Sequence, residues 1–253
     1  MRKGLIGILS AAVLAVSGAA FAAGGSVEAP AQNWSFKGLF GTFDRGALQR
    51  GFQVYDEVCA ACHSLRLVAY RNLMGIGLTE DQVKKIAASK TVMDGPNDEG
   101  EMFERPGKPS DRFVKPFPNQ QAARAANNGA FPPDLSLMVK ARVGGADYLY
   151  AVMTGYKDAP KGTEVPEGMS YNQYFPGHLI AMAAPLAEDG VEYADKTKAT
   201  VDQMARDVTT FLAWTAEPEL EDRKRIGIKV LLFLIILTCM LYAVKRKIWA
   251  DLH

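Results

Sequence analysis

Apolar positions along the chain fall mostly at helical spacing. Leu48, Phe52 and Tyr55 recur three and four residues apart, which predicts a helix over 45–58 with one apolar face and Asp44 as its N-cap. Thr79-Glu80-Asp81-Gln82 has the order of a capping box and opens a short helix carrying Val83 and Ile86. Residues 119–128 are Ala-rich and helical in propensity, and Phe131-Pro132-Pro133-Asp134 breaks them. Asp134 is placed to cap a helix over 135–143; Gly144-Gly145 ends it and another helix occupies 147–154. Thr200-Val201-Asp202-Gln203 is a second capping box. The helix behind it, 201–216, sets Val201, Met204, Val208, Phe211 and Thr215 on one face, widened by Leu212 and Trp214, and is expected to pack across the first helix. Residues 23–37 read as an extended arm, and 91–118 and 157–174 as Gly- and Pro-containing surface excursions. Strand-like alternation is scarce, so the predicted class is mainly α.

Two segments differ from the rest in being apolar on every side. At the N-terminus, Arg2 and Lys3 precede an apolar run over 5–16 and the small-residue stretch Ala20-Phe21-Ala22, the pattern of a secretory signal spanning 1–22. Near the C-terminus, Ile226–Val244 is apolar apart from Gly227, Lys229 and Thr238, and is long enough to cross a bilayer as a helix. Basic triplets flank it on both sides, Arg223-Lys224-Arg225 and Lys245-Arg246-Lys247, so charge alone does not orient it. The signal does: residues 23–225 are expected in the periplasm, 226–244 as a single-pass anchor in the bacterial inner membrane, and 245–253 as a cytoplasmic tail.

Charge changes the picture once those segments are set aside. The whole chain is +1, but residues 23–225 hold 23 Lys and Arg against 27 Asp and Glu and are near −4. A mildly acidic surface suits a basic protein partner and argues against nucleic acid. Asp94, Asp98, Glu99, Glu101 and Glu104 concentrate acid in one excursion, as an ordinary solvated loop or as a docking surface for a basic protein partner.

The three cysteines are Cys59, Cys62 and Cys239. The first two stand in Cys59-Ala60-Ala61-Cys62-His63, the C-x-x-C-H spacing of c-type haem attachment. Two thiols about one turn apart can each add to one vinyl group of a single porphyrin, and the adjoining imidazole then lies under the ring. A four-thiolate zinc site would need a second C-x-x-C, which the chain lacks, and no β-α-β pattern surrounds the motif to support a redox dithiol. Cys239 lies in the anchor, so no disulfide remains for residues 23–225 and a covalent cofactor takes the stapling role. His63 leaves one axial position of the iron to fill. The candidates are His178, the only other histidine outside the tail, and a methionine, above all Met182 within Leu179–Pro185, a small-residue segment able to lie flat on a porphyrin face.

Longer stretches carry a specific resemblance. They include Arg50–Tyr55, Val68-Ala69-Tyr70-Arg71, Asp94-Gly95-Pro96-Asn97, Gly100-Glu101-Met102-Phe103 and Arg105-Pro106-Gly107-Lys108. Further on are Ala122–Ala130, Pro132-Pro133-Asp134-Leu135-Ser136, Tyr174-Phe175-Pro176-Gly177 and the Arg223–Arg225 run into the anchor. In these the chain resembles the cytochrome c1 family, in its alphaproteobacterial form, over nearly all of its mature length. The resemblance implies a class I cytochrome c-like haem domain with long loop insertions and one C-terminal transmembrane helix. It implies one haem c held covalently by Cys59 and Cys62, iron ligation by His63 and Met182, and haem contacts from Asn127, Pro133, Arg142 and Tyr148, with Arg142 on a propionate. His178 falls where the family often carries a different polar residue. The extra disulfide that some bacterial members carry before the methionine ligand has no cysteines here. The implied role is the electron-transfer subunit of the proton-translocating quinol–cytochrome c reductase. Its partners would be cytochrome b, a Rieske iron–sulfur protein, a soluble or membrane-tethered cytochrome c and the lipid bilayer, within a dimeric complex.

Overall fold

A computed structural model describes residues 27–250. The expected signal segment 1–22 and the end of the tail, 251–253, lie outside the described residues.

Two helices cross at the centre. Helix α1 (Arg45–Glu57) starts at Asp44, whose carboxylate accepts from the amides of Gly46 and Ala47, and buries Leu48, Phe52 and Tyr55. It is crossed by a second, downstream helix, Val201–Ala216, which starts at Thr200 and buries Met204, Val208, Phe211 and Trp214. Their backbones meet at Gly51, where an added Cβ would lie 2.0 Å from the Asp207 carbonyl oxygen, so the crossing requires glycine. Arg50 fastens the crossing, binding buried Asp207 and also Asp195, each at 2.8 Å. The rings of Phe52, Tyr55, Phe113 and Phe211 pack around it. In this fold the predicted pairing of the first helix with the last soluble one is what builds the core.

Between these two helices lie short elements. A 3₁₀ turn at Cys59–Ala61 follows α1 directly, and another spans Tyr70–Ile76. Helix α2 (Glu80–Ala88) has the reciprocal Thr79–Gln82 box that the sequence predicts. Helices α3 (Gln120–Ala126), α4 (Met138–Ala141) and α5 (Gly145–Thr154) follow, and the downstream crossing helix is α6.

Several expectations are corrected. The first excursion is not all loop: strands β1 (Thr91–Asp94) and β2 (Phe103–Pro106) form an antiparallel hairpin with Thr91 opposite Pro106. Arg105 joins Asp94 to Asp111 there, so Asp94 is internally paired and leaves the acidic cluster. A second two-residue ladder joins β3 (Ser170–Tyr171) to β4 (Leu179–Ile180). The helix expected over 135–143 shrinks to α4, because Asp134 spends its carboxylate on another segment and leaves α4 without a side-chain cap. The second capping box is half formed: Thr200 accepts from the Gln203 amide, but the Gln203 side chain reaches forward to Asp207. Finally, the arm is loose only in sequence. Trp34 and Phe36 are buried, and Asp147 accepts from the Gln32 amide, the Trp34 indole and Lys37.

The apolar C-terminal segment lies within one continuous helix, α7 (Leu220–Trp249), 30 residues long and about 45 Å at 1.5 Å per residue. Among the described residues it is the one helix long and apolar enough to cross a membrane. Its first turn is not a free junction. Leu220 is buried, Glu221 accepts from the Phe43 amide and from Arg45 at 2.7 Å each, and Lys224 donates to the carbonyls of Phe36 (2.7 Å) and Gly41 (2.9 Å).

Candidate functional site

The Cys59–His63 motif caps the C-terminal end of α1. Val58 still closes a helical bond to Val54, after which the amides of Cys62 (3.1 Å) and His63 (2.8 Å) both turn back to the Cys59 carbonyl. The two thiols therefore stand one turn apart, and both are free. The buried Tyr55 sends its hydroxyl to the His63 carbonyl at 3.0 Å, tying the motif's last residue to the helix that delivers it. Burial around the Cys59 sulfur pushes its thiol up to about 12, with Cys62 adding to the shift.

A second segment zips onto the residues just after the motif. The Asp134 carboxylate accepts from the Ser64 hydroxyl (2.7 Å), the Arg66 amide (2.8 Å) and the Ser136 amide (3.0 Å). The Ser136 hydroxyl accepts from the Leu67 amide, and the Leu135 amide donates to the Ser64 carbonyl. Burial works to raise the Asp134 pKa, but these donors hold the carboxyl below its ordinary range. The zipper brings the Pro133 carbonyl to 2.8 Å from His63 Nδ1. That bond makes Nδ1 the protonated nitrogen and leaves Nε2 with a free lone pair. Burial, opposed by the Pro133 bond, lowers the His63 pKa and keeps the ring neutral, as a metal ligand must be.

Met182 belongs to a different strap. It follows β4, is partly exposed, and is flanked by exposed Ala181, Ala183 and Ala184. Its carbonyl accepts from the Tyr156 hydroxyl at 3.1 Å. The strap's entry is set by Asn172, fully buried, whose side chain donates to the Val152 carbonyl and accepts from the amides of Tyr174 and Phe175. His178 takes a left-handed backbone (φ +63°) and stacks on Tyr171 with centroids 5.5 Å apart, its Nδ1 at 3.3 Å from the Asn172 carbonyl. That ring is engaged in packing the loop. No hydrogen bond among the described residues joins the Met182 strap to the His63 zipper.

The remaining sequence-predicted residues divide. Pro133 lies in the zipper. Arg142 and Tyr148 lie on either side of the α4–α5 turn: burial raises the Tyr148 pKa and the Arg142 charge opposes it. Arg142 is exposed and makes no ion pair among the described residues, so its guanidinium is available to a carboxylate. Asn127 caps the end of α3 and its side-chain amide donates to the Ala123 carbonyl, which leaves its Oδ1 without a partner among the described residues. Sequence reasoning missed Tyr55, Tyr156 and Asn172. Tyr55 carried only a core signal, and the other two lie in a region without periodicity.

These donors fit a haem. Two free thiols one turn apart, a neutral imidazole with one nitrogen fixed and one free, and an unpaired guanidinium match its vinyl groups, iron and propionate. Among the described residues no group of three or more His, Cys, Asp or Glu is placed to hold a bare metal ion, so the zinc reading of the motif finds no further ligands.

A mainly helical domain that presents C-x-x-C-H in this way defines a c-type cytochrome. Within that class the chain belongs to the cytochrome c1 family, whose family model, described as Cytochrome C1 family, matches residues 34–252. It is 52% identical to the cytochrome c1 of Rhodospirillum rubrum over 94% of each chain. It is 51% identical over 90% of its length to the cytochrome b/c1 of Bradyrhizobium diazoefficiens, of which it spans 36%. It is also 53% identical, over 88% of its length and 78% of the relative, to the mitochondrial cytochrome b-c1 complex catalytic subunit of Candida albicans.

Proposed function

We propose that this chain is the haem-bearing electron-transfer subunit of a quinol–cytochrome c reductase. It takes electrons from a Rieske iron–sulfur protein and passes them to a soluble or membrane-tethered cytochrome c. Cys59 and Cys62 would hold one haem c covalently, His63 and Met182 would ligate its iron, and Arg142 would meet a propionate, with Asn127, Pro133 and Tyr148 around the group. When bound, the haem supplies a one-electron couple. The observation that carries this reading is the 2.8 Å contact from His63 Nδ1 to the Pro133 carbonyl, which orients the imidazole and makes it a stronger donor. The Met182 thioether is soft and neutral, favours the ferrous state and raises the potential.

The chain makes and breaks no bonds in turnover. Quinol oxidation and proton translocation belong to the complex, with cytochrome b as the neighbouring subunit. The Bradyrhizobium relative, whose name joins b and c1, supports that neighbour. Residues 1–22 serve as an export signal, 23–225 lie in the periplasm, 226–244 cross the inner membrane and 245–253 remain in the cytoplasm.

A second reading is a free-standing tethered shuttle. The clamp of Glu221 and Lys224 on the domain disfavours it, because a shuttle needs slack between domain and anchor. Purification in mild detergent tests the choice. Co-purification with a b-type cytochrome and a Rieske protein is expected, with one covalent haem by mass and redox-difference spectrum. Recovery as a lone haem protein with full activity would overturn the subunit reading.

A further inference from the structure

Two of the most exposed large apolar side chains outside the anchor are neighbours, Leu39 (60% exposed) and Phe40 (79%). They form the tip of a turn closed by the Gly41 amide on the Gly38 carbonyl, with Gly38 at φ +79°. The turn is rigidly presented. Trp34 and Phe36 stack beneath it with centroids 5.6 Å apart, Phe43 packs on Phe36 at 5.0 Å, and the Thr42 amide closes back on the Ser35 carbonyl. Folding therefore holds two apolar side chains in water at a site where they contribute nothing to the core.

The position of the turn says what covers them. Glu221 and Lys224 lie three residues apart, on one face of α7. Glu221 holds the Phe43 amide, while Lys224, one turn nearer the membrane, holds the Gly41 carbonyl. Lys224 also holds the Phe36 carbonyl, so both ends of the loop that carries Leu39 and Phe40 are tied to the α7 turn one turn beyond Glu221. Leu39 and Phe40 are the exposed tip between those two carbonyls, beside the part of α7 that leads into the apolar stretch at Ile226. On that face Ile228 is partly covered, whereas residues 229–236 are exposed.

We infer that the Gly38–Gly41 turn is a second membrane contact, with Leu39 and Phe40 seated among phospholipids at the boundary of headgroups and acyl chains. The inference rests on α7 crossing the bilayer. Helix and turn then act as two feet joined by Lys224, so the domain cannot swing about its anchor, and the haem-bearing face keeps one orientation to the membrane plane. Side chains seated in this way sit about 5–10 Å into the boundary.

Photo-crosslinking in the native membrane tests it, using the full chain with its cofactor. Phe40→p-benzoylphenylalanine is irradiated and the peptide carrying position 40 is weighed. The same probe at Leu234, within α7, reports whether the helix lies in lipid, and at Lys161, on an exposed loop, it reports water. A phospholipid adduct at 40 and 234, but not at 161, is the expected result. An adduct at 234 without one at 40 would place the turn in water and overturn the inference while leaving the anchor intact. A protein adduct at 40 would assign the turn to a neighbouring subunit and likewise overturn it. No adduct at 234 would remove the membrane-spanning reading and this inference with it.

Discussion

On the His63 side of the site, contacts from α1 and from residues 133–136 hold the proposed ligand. Tyr55 fixes its carbonyl, the Asp134 and Ser136 side chains bind Ser64, Arg66 and Leu67 just after it, and the Pro133 carbonyl sets its ring. On the Met182 side, a strap with exposed alanines leaves the two-residue β3–β4 ladder and is tied beyond it by one phenol and, further upstream, one buried asparagine. The contrast teaches how a fold can divide a ligation task. One proposed ligand, His63, is pre-positioned by a dense polar network, and the other, Met182, would be supplied by a segment with fewer side-chain bonds. The dense side needs buried partners for every polar group, whereas the sparse side needs only small residues and slack.

Ligand removal probes this contrast most forcefully. Met182→Leu should leave the covalent haem in place, drop its potential by a sizeable part of the roughly 0.8 V span that axial ligands command, and abolish turnover. A redox titration of the purified complex reads the shift. An unchanged potential would give the role to His178 and would mean that the Tyr171 stack breaks when the cofactor is present.

Next in size is the zipper. Asp134→Ala strands the Ser64 hydroxyl and the Arg66 and Ser136 amides, and because Asp134 is half-buried, water can rescue only some of them. A loss of about 2–3 kcal/mol is expected from denaturant unfolding followed by the haem band. A loss no larger than that of an ordinary surface substitution would contradict the dense-side description.

The same carboxyl gives the zipper a pH window. Its folded pKa lies below the ordinary 3.8, so its contribution is fully present above that value and is lost as pH falls through the lower folded value. The stability gap between the wild type and Asp134→Asn should therefore be constant from neutral pH to about 5 and close progressively below 3.8. A gap that closes near neutrality would point to a different titrating group.

How much of this was legible in the sequence follows the same division. The α1 and α6 faces, the Asp44 and Thr79 caps and the C-x-x-C-H motif announce themselves through spacing, because helices repeat every 3.6 residues and thioether attachment fixes an interval. The zipper is hidden in the sequence: Asp134 looks like a cap when only its neighbours in sequence are considered, but its shortest hydrogen bonds, from Ser64 and Arg66, come from about seventy residues away. Strands β1 and β2 escaped notice because four-residue strands in a Gly- and Pro-rich stretch give too short an alternation to register. Met182 stood out among the methionines by its small-residue surroundings, and the family resemblance, not periodicity, singled it out over His178. The clamp on α7 was invisible because it uses backbone carbonyls of Phe36 and Gly41, groups that every sequence possesses.

The smallest effect sharpens the comparison most. Tyr156→Phe deletes one hydrogen bond, from the phenol to the Met182 carbonyl, and keeps the ring. Global stability should fall by about 0.5–1.5 kcal/mol, since a single neutral bond is at stake. If the strap is as sparsely tied as it looks, that bond is a large share of what orders the methionine. Loss of the iron–thioether absorption on warming should then begin well before the domain unfolds, and earlier than in the wild type. The same deletion on the dense side, Tyr55→Phe, removes a bond of equal kind to the His63 carbonyl, but the zipper remains to hold His63. Tyr55→Phe should lower the unfolding temperature without separating ligand loss from unfolding. If both variants lose ligation and fold together, the two sides are equally well tied and the proposed division of labour fails.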